Sequence, residues 1–225
     1  MTTPTMTLSL TIMRERLDDP SSRQWSDTVL ERFVNEGCRD ISLKVEWKRL
    51  GPTNVAFTAA LASAAAPTTL IRIESAEYQV TGQSHIYPLE IREWNEMSNV
   101  WGASRSLDQG IPGWITARGY PGAYTLYPYP IPASAGNVII NYTALSTDVT
   151  TTTPLDIPEG WQQLVYDYAE YKALRRARDP RWQEAKMAYE ENLEYMIGLV
   201  RTFHNQPSVN TFSDNDVMYN FMGIY

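Results

Sequence analysis

The feature that most constrains the fold is a charge-poor middle segment between two ends with helical periodicity. Residues 51–157 carry four basic and eight acidic residues, whereas residues 1–50 alone carry eight of each. The middle is instead rich in Thr, Pro, Gly and aromatic residues, which favour strands and turns. This predicts an α+β fold: a helical bundle built from both chain ends, with an inserted β-rich domain and an extended C-terminal tail. The predicted segments are 1–52 and 154–202 for the helical halves, 53–153 for the β-rich domain and 203–225 for a C-terminal arm.

Two helices are predicted in the first fifty residues. The first runs through Leu8, Ile12, Met13 and Leu17, which recur at helical spacing. The second begins after Ser26, a residue type that caps helix N-termini. Gly51 and Pro52 are predicted to end it, since Gly favours the end of a helix and Pro cannot continue one.

Two more helices are predicted after the middle segment. Pro158 is expected in the first turn of one helix, and Asp179 with Pro180 is expected to open the last. The last helix has a clear apolar stripe, with Trp182, Ala185, Tyr189, Leu193, Met196, Ile197 and Val200. Its outer face is predicted to be acidic, with Glu184, Glu190, Glu191 and Glu194.

The middle segment is predicted to form short strands separated by turns. Runs rich in β-branched and aromatic residues are bounded by Gly, Pro, Asn and Ser. Residues 60–69 and 146–154 are low in complexity, and we expect mobile loops there. The predicted strands are Val55–Leu61, Leu70–Ser75, Tyr78–Thr81, His85–Leu89, Trp114–Arg118, Ala123–Tyr127 and Val138–Tyr142.

Composition excludes several classes of function. One Cys and two His argue against a disulfide, a Cys-rich metal site or a Ser-His hydrolase. A formal net charge of −7 argues against a general nucleic-acid binder. The sequence has no phosphate-binding glycine loop, no GxSxG elbow and no HExxH zinc motif. It also has no apolar run near the ~20 residues that span a bilayer, and no basic segment typical of a signal peptide. We therefore expect no enzymatic activity, no cofactor, no metal and no membrane.

Three isolated residues are the remaining candidates for chemistry. His85 lies in a strand-like segment, and His204 follows the last predicted helix. Cys38 lies on the apolar stripe of the second helix, where an inert buried thiol is expected. None has a neighbour at metal-ligand spacing, so each is predicted to be structural.

Arg175, Arg176, Arg178 and Arg181 form the basic cluster of the chain. One interpretation is favourable placement at a helix C-terminus, where cations complement the helix dipole. The other is a rim contact, either with an acidic neighbour or with passing DNA.

The last residues combine the lack of a regular period with an apolar, aromatic composition. A disordered tail is normally polar, whereas exposed apolar clusters mark surfaces for partners. Two interpretations follow: the tail binds a partner, or it folds back on its own core. The residues concerned are Phe212, Val217, Met218, Tyr219, Phe221, Met222, Ile224 and Tyr225.

Three segments, in this order, resemble one protein family. Residues 8–41 read LSLTIMRERLDDPSSRQWSDTVLERFVNEGCRDI, with a helix ending in Leu-Asp-Asp and Trp-Ser-Asp opening the next. Residues 124–145 read YTLYPYPIPASAGNVIINYTAL, with Leu-x-Pro-x-Pro before an apolar strand. Residues 155–196 read LDIPEGWQQLVYDYAEYKALRRARDPRWQEAKMAYEENLEYM, two helices broken at Asp-Pro. Together they resemble the head-to-tail connector (adaptor) proteins of tailed bacteriophages, including the podovirus tail tubular protein A kind.

The resemblance implies a structural virion protein without enzymatic activity or cofactors. Such adaptors form a homo-oligomeric ring, usually twelvefold, in the neck between head and tail. The ring binds the portal protein on one side and a tail or nozzle protein on the other, and DNA passes through its channel during ejection. Assembly takes place in the host cytoplasm. The resemblance also assigns portal binding to the C-terminal segment, here residues 203–225.

Two other functions stay open at the level of sequence. Aromatic residues in the charge-poor middle could make a carbohydrate-binding β-module on a helical stalk, used in host-surface recognition. Its stacking platforms would be Trp94, Trp101, Trp114, Tyr120, Tyr124, Tyr127 and Tyr129. A hydrolase or other enzyme is the second, with His85 or His204 as the residue required for turnover.

Overall fold

The computed structural model describes residues 4–101, 108–150 and 152–204. The helices in this part of the chain are α1 (Met6–Arg16), α2 (Asp27–Val45), α3 (Trp94–Trp101), α4 (Gln162–Ala177) and α5 (Trp182–His204). The strands are β1 (Arg49–Phe57), β2 (Ala64–Ala65), β3 (Leu70–Val80), β4 (Ile86–Ile91), β5 (Gln109–Gly110), β6 (Trp114–Arg118), β7 (Thr125–Tyr129), β8 (Ile131–Pro132) and β9 (Gly136–Ala144).

Seven of the described strands form one large sheet in the order β1-β9-β3-β4-β6-β7-β2. Neighbouring strands are antiparallel except β4 and β6, which are parallel. The edge strands β1 and β2 come into contact, so the sheet is nearly closed. The core of the sheet is apolar and includes Val55, Phe57, Leu70, Tyr78, Ile115, Leu126, Val138 and Ile140.

The fold class predicted from the sequence is wrong. The described chain is a mixed α/β structure with a nearly closed seven-stranded sheet and five helices, not a helical bundle with an inserted β domain. The sequence pattern underestimates the length of the strands in the sheet, because the strands contain irregularities. β3 is one strand of 11 residues, and its register against β9 shifts between Ile73 and Ser75. A bulge interrupts the alternation of side chains, so one long strand reads as two short ones. The predicted C-terminal tail lies outside the described residues from residue 205 onward.

Four helices, α1, α2, α4 and α5, share one hydrophobic cluster. Ser26 occupies the N-cap of α2, as predicted, and Asp179 accepts a hydrogen bond from the Arg181 N–H ahead of α5 at 2.9 Å. The Asp179 carboxylate satisfies a backbone N–H group at the start of the helical segment, whereas the Ser26 side chain makes no capping hydrogen bond. The cluster includes Met6, Met13, Leu30, Val34, Ile41, Val165, Ala169 and Leu193.

Helix α2 ends earlier than predicted. Its last residue is Val45, and Glu46 adopts the left-handed conformation that closes the helix. Gly51 and Pro52, the predicted helix end, lie instead in β1, where the strand register shifts against β9. Gly51 has a φ of +140°, and a Cβ at this position would lie 2.3 Å from Oδ1 of Asn141. This bulge therefore requires glycine for both its backbone conformation and the close approach of β9.

The two chain crossings between the helices and the sheet run side by side. The first crossing precedes β1 and includes Lys48, and the second follows Ala144 at the end of β9. The Ala144 N–H donates to the Lys48 carbonyl at 2.7 Å. The Lys48 ammonium also pairs with the carboxylate of Asp156, further along the second crossing. Backbone and side-chain contacts thus tie the two crossings to each other.

The second crossing was predicted as a mobile loop, but its first residues pack on α2. The side-chain amide of Asn35 exchanges two hydrogen bonds with the backbone of Val149, both at 3.1 Å. The hydroxyls of Ser42 and Ser146 form a buried hydrogen bond. These polar side chains of α2 satisfy the hydrogen-bonding groups of an irregular backbone segment. The low-complexity sequence of that segment does not reveal these bonds.

Candidate functional site

The predicted cluster of four arginines is divided in the structure. Arg175 and Arg176 lie in the last turn of α4, and Arg178 ends the helix in a left-handed conformation. These three side chains are exposed and have no ion-pair partner among the described residues. Arg181 instead binds the carboxylate of Asp179, with Nη2 2.9 Å from Oδ2. Hydrogen bonds from Arg181 lower the pKa of Asp179, so this pair is a local contact. Of the other three arginines, Arg175 already lies 5.8 Å from the ring centre of Trp182.

A shallow pocket opens between α2 and α4 beside these arginines. It has a volume of about 490 Å³ and is lined by Arg32, Phe33, Lys172, Arg175 and Arg176. Phe33 is 4% exposed, and the Arg32 guanidinium lies 5.3 Å from its ring centre. Glu36 lies 3.4 Å from the Arg32 guanidinium and 3.6 Å from the Lys172 ammonium. We call this site, with its apolar base and cationic rim, the basic pocket.

The outward face of α5 carries two large apolar side chains that the sequence pattern did not reveal. Met187 is 70% exposed and Tyr195 is 66% exposed. They lie two helical turns apart, opposite the buried Tyr189 and Leu193, with the exposed Glu191 between them. In the sequence, Met187 and Tyr195 recur at helical spacing with the glutamates of a face that was interpreted as exposed to solvent. We call this surface the α5 stripe, defined by Glu184, Met187, Glu191, Glu194 and Tyr195.

A second pocket, of about 300 Å³, is built around a buried carboxylate. Asp167 on α4 accepts hydrogen bonds from Arg16 on α1 at 2.9 Å, Gln163 at 3.0 Å and Asn192 on α5 at 2.9 Å. The Arg16 guanidinium also lies 3.1 Å from the carboxylate of Glu170, whose pKa is raised by burial. Because three helices supply these partners, the cluster fixes the helices relative to one another.

Three of the proposed stacking platforms have their rings partly covered within the chain. Trp114 stacks on Tyr129, with ring centres 5.6 Å apart, and the Arg92 guanidinium lies 4.0 Å from the Trp114 ring centre. The Arg118 guanidinium lies 4.5 Å from the ring centre of Trp94. These cation–π contacts place a guanidinium group beside each indole ring. They also leave less of each indole face open to a sugar.

The remaining proposed stacking platforms are Trp101, Tyr120, Tyr124 and Tyr127. Tyr127 packs edge-on against Trp94, with ring centres 4.9 Å apart, and Tyr124 packs against the core of the sheet. Tyr120 is 69% exposed in the turn between β6 and β7. The side chain of Trp101 lies outside the described residues. Nothing in the described geometry therefore favours carbohydrate binding.

The isolated chemical candidates are also separated from one another. His85 is exposed just before β4, and His204 is the last residue of α5 rather than lying beyond it. Cys38 is 1% exposed, as predicted, and burial together with nearby carboxylates raises the pKa of its thiol to about 12. A thiol that stays protonated is a poor nucleophile. In the part of the chain that the structure describes, no group of three or more His, Cys, Asp and Glu could hold a metal. No described helix is long and apolar enough to cross a membrane.

The residues predicted to bind the portal lie outside the described part of the chain. They are Phe212, Val217, Met218, Tyr219, Phe221, Met222, Ile224 and Tyr225. Among the described residues, the basic pocket and the α5 stripe each bring charged and apolar or aromatic side chains together at the surface.

Comparison with known families identifies the setting in which these surfaces act. The family model described as SU10 adaptor protein matches residues 8–212, which include the sheet, the basic pocket and the α5 stripe. The chain belongs to the SU10 adaptor protein family. This SU10-family adaptor is thus a bacteriophage structural protein, a virion component that interacts with other head or tail components. The predicted resemblance to phage head-to-tail adaptors is confirmed at this level. No curated protein matches the chain.

Proposed function

We propose that the protein forms a twelvefold ring in the neck of the virion, of the podovirus tail tubular protein A kind. The ring joins the portal of the head to the tail or nozzle protein and extends the DNA channel. It assembles in the host cytoplasm and has a structural rather than a catalytic role. Membership of the SU10 adaptor family over residues 8–212 carries the proposal.

The charge of the chain supports a channel through which DNA passes. A duplex is a dense line of negative charge, and a surface rich in Lys and Arg would hold it by releasing counterions. With a formal net charge of −7, the chain has no overall attraction for phosphate. An acidic ring therefore lets DNA pass without retaining it.

Portal binding is proposed for the C-terminal segment, residues 206–225. This segment has two acidic residues, no basic residue and a high share of aromatic and apolar residues. Such a segment gains by burying apolar surface on a partner, at the cost of the conformational entropy lost when it orders. Phe212 is the last residue of the family match, so the other predicted contact residues lie beyond it.

Deletion of residues 206–225 tests this proposal. We expect the truncated chain to stay folded, because both hydrophobic clusters lie in the described residues before this segment, and to lose binding to purified portal protein. Co-sedimentation of adaptor with portal measures the loss. The matched control keeps the segment at full length and replaces Asn210 and Asn215 by Ala, which should leave binding intact. Undiminished portal binding by the truncated chain would refute the assignment.

A further inference from the structure

We infer that neighbouring copies of the chain dock by placing the α5 stripe of one copy into the basic pocket of the next. This inference deepens the proposed ring and rests on it, since it names the lateral contact between subunits. It follows from three properties of the two surfaces: their opposite charge, their exposed apolar groups and their separate positions on the chain.

The basic pocket has an unbalanced positive charge. Four cationic side chains line it, and one carboxylate, Glu36, lies within ion-pair distance of two of them. Arg175 and Arg176 have no carboxylate partner among the described residues, although the chain as a whole carries a formal charge of −7. A pocket of this sign attracts an acidic surface.

The α5 stripe has the opposite charge. Glu184, Glu191 and Glu194 are exposed and have no ion-pair partner in the described chain. The neighbouring Lys186 is already paired with Glu190 at 3.0 Å. The glutamates of the stripe are therefore available to Arg175 and Arg176 of another copy.

The basic pocket can also cover the apolar groups of the stripe. Tyr195 and Met187 leave most of their surface in water, which is unfavourable unless a partner covers them. The basic pocket presents planar guanidinium groups on its rim, above a Phe33 ring that is itself buried. Guanidinium groups stack on aromatic rings, so Tyr195 is the side chain that this pocket favours as an anchor.

The positions of the two surfaces suit a ring. The pocket is formed by α2 and α4, whereas most of the stripe lies on the side of α5 that faces away from both, and Glu184 at its start borders the second pocket between α4 and α5. That orientation is fixed by Tyr189, which hydrogen-bonds Asp40 of α2 and packs edge-on against Tyr168 of α4. Each copy thus carries one pocket and one stripe at different places. Contacts between unlike surfaces propagate head to tail and form a ring when the rotation closes.

Charge reversal on each surface tests the inference. One variant carries Arg175→Glu and Arg176→Glu, and a second carries Glu191→Arg and Glu194→Arg. All four side chains are exposed, so both variants should keep the circular dichroism spectrum of the wild type. The first should unfold at a slightly lower temperature, because Arg175 and Arg176 complement the dipole at the end of α4 and Arg175 lies beside the Trp182 ring. With full-length chains and purified portal, native mass spectrometry should show that each variant forms rings about tenfold less than the wild type. The matched control reverses two exposed charges of the sheet region, Glu93→Arg and Glu96→Arg, and should assemble normally.

Mixing the two variants gives the decisive result. A chain with an acidic pocket and acidic stripe complements a chain with a basic pocket and basic stripe, so an equimolar mixture should form alternating rings. Normal assembly of either variant alone, or no rescue in the mixture, would overturn the inference. Normal assembly of the Arg175→Glu, Arg176→Glu variant with altered DNA passage would assign the pocket to nucleic acid instead. If wild-type chains form no ring with portal, the proposed function fails and this inference fails with it.

Discussion

The helical cluster and the sheet of this SU10-family adaptor are held together by different physical means. Among the described residues, the helical side buries polar groups that bond from one helix or segment to another. They include Ser9, Asp19, Ser42 and Asp167. The buried polar residues of the described sheet are Thr116 and Thr143, and the rest of its core is apolar.

The difference teaches which property sets the geometry of each region. A buried polar group must find its partner, so each network of the helical side specifies one arrangement of helices. In the sheet, alternation of apolar residues and the register of β1, β3 and β9 specify the arrangement. Removing one partner of a buried polar network should therefore destabilise the helical side, whereas the sheet should respond to changes in packing volume.

The largest expected effect is in the sheet. Ile140 on β9 is fully buried, and Ile140→Ala should lower the free energy of unfolding by about 4 kcal/mol through lost contacts and a residual cavity. Urea denaturation measures the loss, which should be the same at about pH 7 and pH 5 because no titrating group is involved. The control, Ile139→Ala, changes a half-buried neighbour on the same strand and should cost less than half as much. Equal losses at the two positions would contradict the assignment of faces.

Asp167→Ala is expected to have the next largest effect. It removes the acceptor shared by Arg16, Gln163 and Asn192 and leaves a partly buried guanidinium without its main partner. A loss of about 3 kcal/mol is expected in urea denaturation. Glu170→Gln, which removes the more exposed carboxylate beside Arg16, should cost less than about 1 kcal/mol. A small effect of Asp167→Ala would mean that apolar packing alone positions the helices.

The stability of the helical side depends on pH through the carboxyl group of Asp19. Burial by itself would raise the pKa of its carboxyl, but three backbone N–H donors and the Arg14 guanidinium together lower the pKa below its usual value. The donors are the N–H groups of Arg23, Gln24 and Trp25, at 2.8, 3.1 and 2.9 Å. The unfolded chain therefore binds this proton more readily. The stability from Asp19 is present above its unfolded pKa of about 4 and is lost as the pH falls through the lower folded value.

Asp19→Asn tests this smaller effect. The variant should be less stable than the wild type near about pH 6, and the difference should shrink as the pH falls below about 4. Thermal unfolding followed by circular dichroism across this range measures both. Asp18→Asn, at the exposed neighbouring position, should leave the pH dependence unchanged. A difference between Asp19→Asn and wild type that does not vary with pH would show that shape rather than charge matters here.

Local signals in the sequence located several helix ends and the longer strands, among them Trp114–Arg118 with both of its ends, but not how the strands join into one sheet. Ser26 and Asp179 mark helix starts because capping depends on a few neighbouring residues. Gly51 was misread because a glycine that ends a helix and one that fits a bulge share the same conformational freedom. The difference depends on Asn141, ninety residues away in sequence, and one sequence does not show that proximity.

The candidate surfaces were also predicted only in part from the sequence. The run of arginines was visible in the sequence, but the pocket needed Arg32 and Phe33 from a distant helix. Met187 and Tyr195 were missed because an apolar side chain is expected in a core, and its exposure depends on how α5 docks. Sequence thus identified the charge of one surface and the family role, while the fold was needed to bring the partners of each surface together.

The paired crossings between helices and sheet have a mechanical consequence for a component of a virion. A single connecting strand would act as a swivel, since rotation about its bonds meets little resistance. Here Lys48 joins the two crossings. Its carbonyl accepts a hydrogen bond from the Ala144 N–H, and its ammonium pairs with the carboxylate of Asp156. Twisting one region against the other must then shear both bonds, so the junction transmits torque and can bend more readily than it can turn.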